Sequence, residues 1–457
     1  MTETTPSNDL TSGSTWHNIW HMSWSMLLVM FLNFFVGLTD IYVAGFLGPE
    51  IQAVVGFVTE LYFFVIIAAN AISTGTVAML SRAVGAHNSE KAVSIAVQSL
   101  VFAIACAISI TIAGIIFHER LISLAGFSDS ISARAGEFFV IFAVALVPNY
   151  IVVISNAIFR SGGEVRLTLI AMFFVSLINI VLDFLLVFGA AGWGGMGYRG
   201  IAFATAISMF AGMIICFALF KKSRWSDIFS GAWHLSGRHI RGILRISWPA
   251  ALLQLAWNSG SIVLYNILGR LDEGSVIAMA ALTSGLRIEA FIYLPMFALN
   301  MAASVLCGQT LGAGEAGRAE RIGWKLAVTG VTFVSLLALP VFIWAGPVAS
   351  VIAKDSGVLT ETTFYLRVMM LSEPFMALSL ILGGCLQGAG DTKGTMFVIV
   401  IALWAIRLPL AYLLAVTAGY GAAGVWAAMV ISMFFQGIAM TFRYRAGGWK
   451  VLMVTEH

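Results

Sequence analysis

Apolar residues come along this chain in long unbroken runs, separated by short polar or charged breaks. A bilayer core takes about 20 apolar residues per helix. By that ruler the sequence predicts twelve spans, at 20–47, 52–80, 93–117, 134–160, 166–189, 198–221, 243–269, 276–307, 323–346, 360–387, 394–417 and 421–443. No period-two strand pattern with turn punctuation appears, and alternating barrel strands do not give such runs. The predicted fold class is all-α: a polytopic membrane protein of twelve transmembrane helices.

Composition agrees with the pattern. Of 457 residues, 60% are hydrophobic and 10% charged, against about 25% charged in soluble domains. Soluble enzymes, nucleic-acid readers and disordered scaffolds are excluded, because 25 Lys/Arg and 22 Asp/Glu cannot clothe so much apolar surface. Cys106, Cys216, Cys307 and Cys385 lie inside apolar runs, none as CxxC, and read as small hydrophobes. No Gly-Lys pair occurs, so there is no P-loop, and HExxH and GxSxG are absent too. The histidines lack ligand spacing. No cofactor and no structural metal are expected, and no nucleic-acid partner. A membrane-embedded enzyme is the rival class, without a constellation to support it.

Basic residues set the orientation. With a cytoplasmic N-terminus, the inner loops and tail hold 17 Lys/Arg and the outer loops six, leaving Arg287 and Arg407 inside spans. Both termini are therefore expected in the cytoplasm. The first ten residues contain no Lys or Arg, and the first apolar run is too long for a signal-peptide core. They are expected to be an uncleaved polar tail.

The sequence also repeats. SRAVGAHNSEKA (81–92) aligns with GQTLGAGEAGRA (308–319) at an offset of 227, and FRSGGEVR (159–166) with LQGAGDTK (386–393) at the same offset. Ser23-Trp24 aligns with Ser247-Trp248 at 224. The expected organisation is a tail (1–16), an N-lobe of six helices (17–220), a basic linker (221–242), a C-lobe of six helices (243–443) and a C-terminal tail (444–457). Two parallel repeats related by a pseudo-two-fold axis are a transporter signature.

Ionisable groups inside spans are costly and therefore functional candidates. There are seven: Asp40, Glu60, Asp183, Arg287, Glu289, Glu373 and Arg407. At about 1.5 Å per residue, Asp40, Glu60, Asp183 and Thr205 all fall roughly 10 Å inside the outer ends of four different spans. Asn33, Gly37 and Asp40 share one helix face, as do Ser176, Asn179 and Asp183. Acids gathered in low dielectric without a base must hold protons or share a cation, and exchange of one for the other is ion coupling. The coupling ion is H⁺ or Na⁺, and a packing pair is the alternative reading. Glu60, nearer the start of its span, is an accessory acid at most.

In the other half, Arg287, Glu289, Glu373 and Arg407 come out at similar mid-membrane depth. They read as a self-compensating charge network or as a direct contact for substrate or protons. Pro295, Pro374 and Pro409 fall in the same spans, where helix bending is expected. Phe and Met are abundant, at 33 and 20 residues, and mostly face lipid or pack helices. The remainder suits a deformable cavity.

GLTDIYVAGFLG in span 1, RIEAFIYLPMFALNMAASVLCGQTLGAG (287–314) and QGAGDTKG after span 10 resemble the multidrug and toxic compound extrusion (MATE) transporters of prokaryotes. Within that family the chain looks like the DNA-damage-inducible, DinF-like branch. The resemblance implies secondary active efflux of hydrophobic, often cationic organic compounds by alternating access of two lobes, in exchange for H⁺ or Na⁺. It also implies that Asp40, Asn179, Asp183 and Thr205 form the coupling-ion site. The NorM-type branch carries an acid in span 7, whereas this span, WPALLQLAWNSGSIVLYNILG, has none. The expected setting is the bacterial inner membrane, as a monomer. A flippase for a lipid-linked precursor is the runner-up function.

Overall fold

The computed structural model describes residues 10–123, 129–189, 193–230, 237–271 and 274–452. Parts of the expected tails (1–9 and 453–457) and of the linker (231–236) lie outside the described residues.

The apolar runs become helices, in the order α1 (Thr15–Phe46), α2 (Pro49–Gly85), α3 (Ser89–Ser123), α4 (Asp129–Ser161), α5 (Val165–Phe188) and α6 (Tyr198–Lys222). There follow α7 (Gly237–Leu268), α8 (Ser275–Gly312), α9 (Ala316–Ile343), a short α10 (Ala345–Ile352), α11 (Ser356–Met370) and α12 (Glu373–Gly388). The last are α13 (Thr392–Val400), α14 (Leu408–Tyr412) and α15 (Gly421–Arg445). Among the described residues ten helical stretches are long and apolar enough to cross a bilayer, eleven when α11 and α12 count as one. Helix α7 has the length, 32 residues, but Gln254, Asn258, Ser259, Ser261 and Asn266 dilute its apolar run.

Two predicted spans are not plain α-helix. The run at 360–387 is broken, with α11 and α12 bent by 52°. Pro374 sits in the first turn of α12, where its missing N–H is no loss, and it prevents one helix from running through. The run at 394–417 winds as π-helix over Ile401–Arg407 and Leu413–Thr417, on either side of α14. Pro409 would clash with the carbonyl four residues back, and the wider π turn relieves that conflict. Pro295 lies within the unbroken α8.

The chain divides into two compact units, Leu28–Ser247 and Leu10–Leu27 with Trp248–Thr455. The first turns of α1, expected with the N-lobe, cluster with the second unit. Arg318 Nη2 donates to Gly13 O at 3.2 Å, and Lys325 Nζ lies 5.6 Å from the Trp16 ring centroid.

In the first unit, α5 is inside-out relative to a helix in water. Ser176, Asn179 and Asp183 are buried, while Phe173, Phe174, Leu177, Val181 and Phe184 are exposed to what would be lipid. Gly200 and Gly212 let α6 close on α5: a Cβ at Gly200 would stand 2.7 Å from Leu186 C and Val187 N. In the second unit, α12 meets α8 through Gly384 and Gly388, whose missing side chains make room for the backbone of Asn300 and Ser304. Asn300 Nδ2 fastens the contact by donating to Leu380 O at 2.7 Å.

Candidate functional site

The first unit brings four predicted residues together from three helices. The carboxyl groups of Asp40 (α1) and Asp183 (α5) meet, each acting directly on the other. One turn from Asp183, Asn179 is buried and its Nδ2 donates to Thr205 Oγ1 of α6 at 3.4 Å. The close α5–α6 approach at Gly200 is what places Thr205 within reach.

The atoms pointing into this cluster are nearly all acceptors. Asp40 Oδ1, both carboxyl oxygens of Asp183 and Asn179 Oδ1 are buried and meet no hydrogen-bond donor among the described residues. Buried acceptors are normally satisfied, and two touching carboxyls without a donor between them need a proton or a cation to hold them together. An all-oxygen set suits a hard cation or a proton, not a soft metal.

Glu60 does not join the cluster. It is exposed on α2, with no hydrogen bond or ion pair among the described residues.

The four charges of the second unit divide. Glu289 (α8), Glu373 (α12) and Arg407 (end of the first π segment) are buried, whereas Arg287 is exposed on another face of α8. A separation of two residues on a helix sends side chains in different directions. The three buried charges are neighbours without ion pairing. Glu289 lies beside Arg407 and Glu373 beside Glu289, but none makes an ion pair within 4.0 Å among the described residues. Glu289 Oε2 instead accepts from Tyr293 Oη at 2.9 Å, and Arg407 Nε donates to Ser432 Oγ at 2.8 Å. Both oxygens of Glu373 lack a donor.

Sequence reasoning missed Tyr293, Ser432 and Trp257, whose ring centroid lies 5.7 Å from the Arg407 guanidinium carbon. Tyr293 was findable, since it lies four residues from Glu289 on the same helix face. The others come from distant elements and left no local signal.

A family model described as MatE matches this chain twice, over residues 25–185 and 249–413. The chain belongs to the MatE family. The two matches begin 224 residues apart (249 − 25), the offset of the Ser-Trp repeat. Among relatives, a probable multidrug resistance protein NorM of Thermotoga maritima is 24% identical over 423 residues, covering 92% of this chain and 90% of that protein. An FAD transporter of Shewanella oneidensis is 25% identical over 405 residues, covering 88% of each. A solved structure of a multidrug resistance MATE family transporter, in an outward-facing conformation, superposes with a TM-score of 0.90. It is 23% identical, and the match covers 98% of this chain and 100% of that one. This MatE protein is thus a multi-pass membrane transporter of twelve-helix fold, not an enzyme.

Proposed function

We propose that the chain is an ion-coupled antiporter that exports hydrophobic, largely cationic organic compounds by alternating access. Asp40, Asn179, Asp183 and Thr205 are its coupling-ion site. The observation that carries this reading is the cluster of buried carboxyl and amide oxygens with no donor, in a helix bundle where such atoms need a proton or cation. Binding there favours one conformational state over another, and a ligand that prefers the opposite state is thereby coupled to the ion. The coupling ion is H⁺ or Na⁺. The protein works as a monomer in a bacterial inner membrane with both termini cytoplasmic, as the excess of Lys and Arg on one set of loops supports.

The test is efflux of ethidium from proteoliposomes under a Na⁺ or an H⁺ gradient imposed separately, with Asp40→Asn beside the wild type. One gradient is expected to drive efflux, and the variant to abolish the response. Equal efflux by Asp40→Asn would end the acid-cluster mechanism. The FAD transporter among the relatives supports looking for anionic groups among the compounds as well.

A further inference from the structure

The second unit holds a partly enclosed cavity of about 60 Å³. Its wall is aromatic and soft, with Trp257, Leu264, Tyr265, Tyr293, Met429 and Met433 among its residues, and Arg407 is its one charged group among the described residues. Glu289 and Glu373 are not part of the wall, and the Tyr293 hydroxyl is committed to Glu289.

Arg407 is an unusual residue to find there. Only 6% of it is exposed, it makes no ion pair within 4.0 Å among the described residues, and its one hydrogen bond there is from Nε to Ser432. A guanidinium has five N–H donors in a fixed fork, so four remain. The group is nevertheless held in place. Its carbon lies 5.7 Å from the Trp257 ring centroid, and Ser432 Oγ, which accepts from Nε, itself donates to Met429 O at 2.7 Å. The surrounding backbone is adapted too. The π segment ends on Arg407, and Gly260 lets α7 close on it, since a Cβ there would come within 2.7 Å of Leu403 Cδ2. Buried cations are ordinarily paired, and π segments recur at functional positions.

We propose that this cavity is an anion subsite that takes the carboxylate group of an aromatic substrate, with Arg407 as the binding residue. A space of about 60 Å³ takes a small polar group and not a whole drug molecule, which suits the charged end of a larger substrate. The free edge of the fork matches the carboxylate oxygens bidentately, and the Trp, Tyr and Met wall suits the ring that carries them. For its part in transport, the subsite rests on the reading of the chain as an exporter.

The test is titration of the purified full-length protein in lipid nanodiscs with benzoate and with benzamide, its neutral counterpart, followed by calorimetry. Benzoate is expected to bind and benzamide not to. Arg407→Gln should weaken benzoate by about 10- to 100-fold, the worth of hydrogen bonds to a charged group, and Arg407→Lys should weaken it less. Ser261→Phe, which narrows the cavity and leaves Arg407 in the sequence, should also weaken it and serves where Arg407→Gln does not fold. Equal binding of benzamide, or unchanged benzoate binding in a folded Arg407→Gln or in Ser261→Phe, overturns the proposal. Export of carboxyfluorescein and of ethidium from the same vesicles separates the two ideas. Arg407→Gln should lose the first dye and keep the second. A wild type that exports ethidium but not carboxyfluorescein overturns the substrate role of the subsite. One that binds benzoate but exports neither dye refutes the exporter reading and leaves the binding site standing.

Discussion

Asp183 sits fully buried on α5 with both carboxyl oxygens unsatisfied, a state that a proton or a nearby cation would relieve. Any species that occupies the cluster is felt first by Asp183 and Asp40, then by Asn179 and Thr205. The Asn179–Thr205 contact is long, 3.4 Å, so it positions rather than binds. Thr205→Val is expected to cost about 0.5–1.5 kcal/mol, a change in apparent ion affinity of no more than roughly tenfold, with Thr205→Ser close to wild type. Ion titration of the transport rate reads both. Outside the spans, Glu164 in the α4–α5 turn offers a second residue-scale test. Burial pushes its carboxyl above the usual value of 4.5, opposed in part by Arg224 and Trp225. An acid raised in this way stabilises the fold while protonated: its contribution is in place below 4.5 and is lost as pH climbs through the raised value. Thermal unfolding should therefore show a midpoint that falls with rising pH, and Glu164→Gln should flatten that slope.

At the scale of elements, glycines decide where helices touch. A side chain at Gly388 would strike the Ser304 backbone, whereas Gly37 has nothing within 4 Å of where its Cβ would stand. Gly388→Val should destabilise by about 1–3 kcal/mol through overpacking, while Gly37→Ala should be neutral or stabilising by about 0.5–1 kcal/mol as a helix-interior substitution. Thermal shift assays compare the pair directly. A second element-level joint is Asp391, which caps α13 by accepting from Gly394 N at 3.2 Å and holds Arg443 of α15 with two contacts of 2.8 Å. Asp391→Ala removes both and should lower the unfolding midpoint more than Arg443→Ala, which leaves the cap intact. This joint gives the QGAGDTKG stretch a structural role beside the resemblance it carried. The spans themselves were legible because unbroken hydropathy is a strong signal and helix the sole open structure that satisfies its own backbone in lipid. The break before Glu373 and the two π segments were not. Proline in the sequence announces a disturbance of the helix, but whether the chain bends, breaks or widens depends on neighbours that arrive only with the fold.

Across the whole molecule the sequence resolved the cluster of the first unit better than that of the second. In the first unit, carboxylates and amides repeated at helical spacing, so Asp40, Asn179, Asp183 and Thr205 could be grouped by depth and face alone. Only Glu60 was grouped with them by depth and then found exposed. In the second, Arg287 and Glu289 lie on one helix with no periodic stripe to say which faces inward, and packing sent Arg287 out and Glu289 in. Topology is a prediction at this scale. Ser350→Cys should react with an impermeant maleimide in intact cells, and Ser230→Cys only after permeabilisation. Cys216, Cys307 and Cys385 are buried and Cys106 is half-buried, so Cys106→Ser is the background for both variants. The reverse pattern would invert the assigned orientation.

The π segment that ends on Arg407 has a consequence for descent as well as for binding. A π turn is an α-helix carrying one residue more than its pitch requires, and that surplus turns every earlier side chain by about 100° relative to the later ones. Loss of a single codon within 401–407 would let the helix relax to ordinary pitch and swing the segment before the deletion away from the cavity wall. A three-nucleotide gap after position 403 would thus exchange the part of the wall that Leu403 supplies for another helix face while Arg407, at the end of the segment, keeps its place.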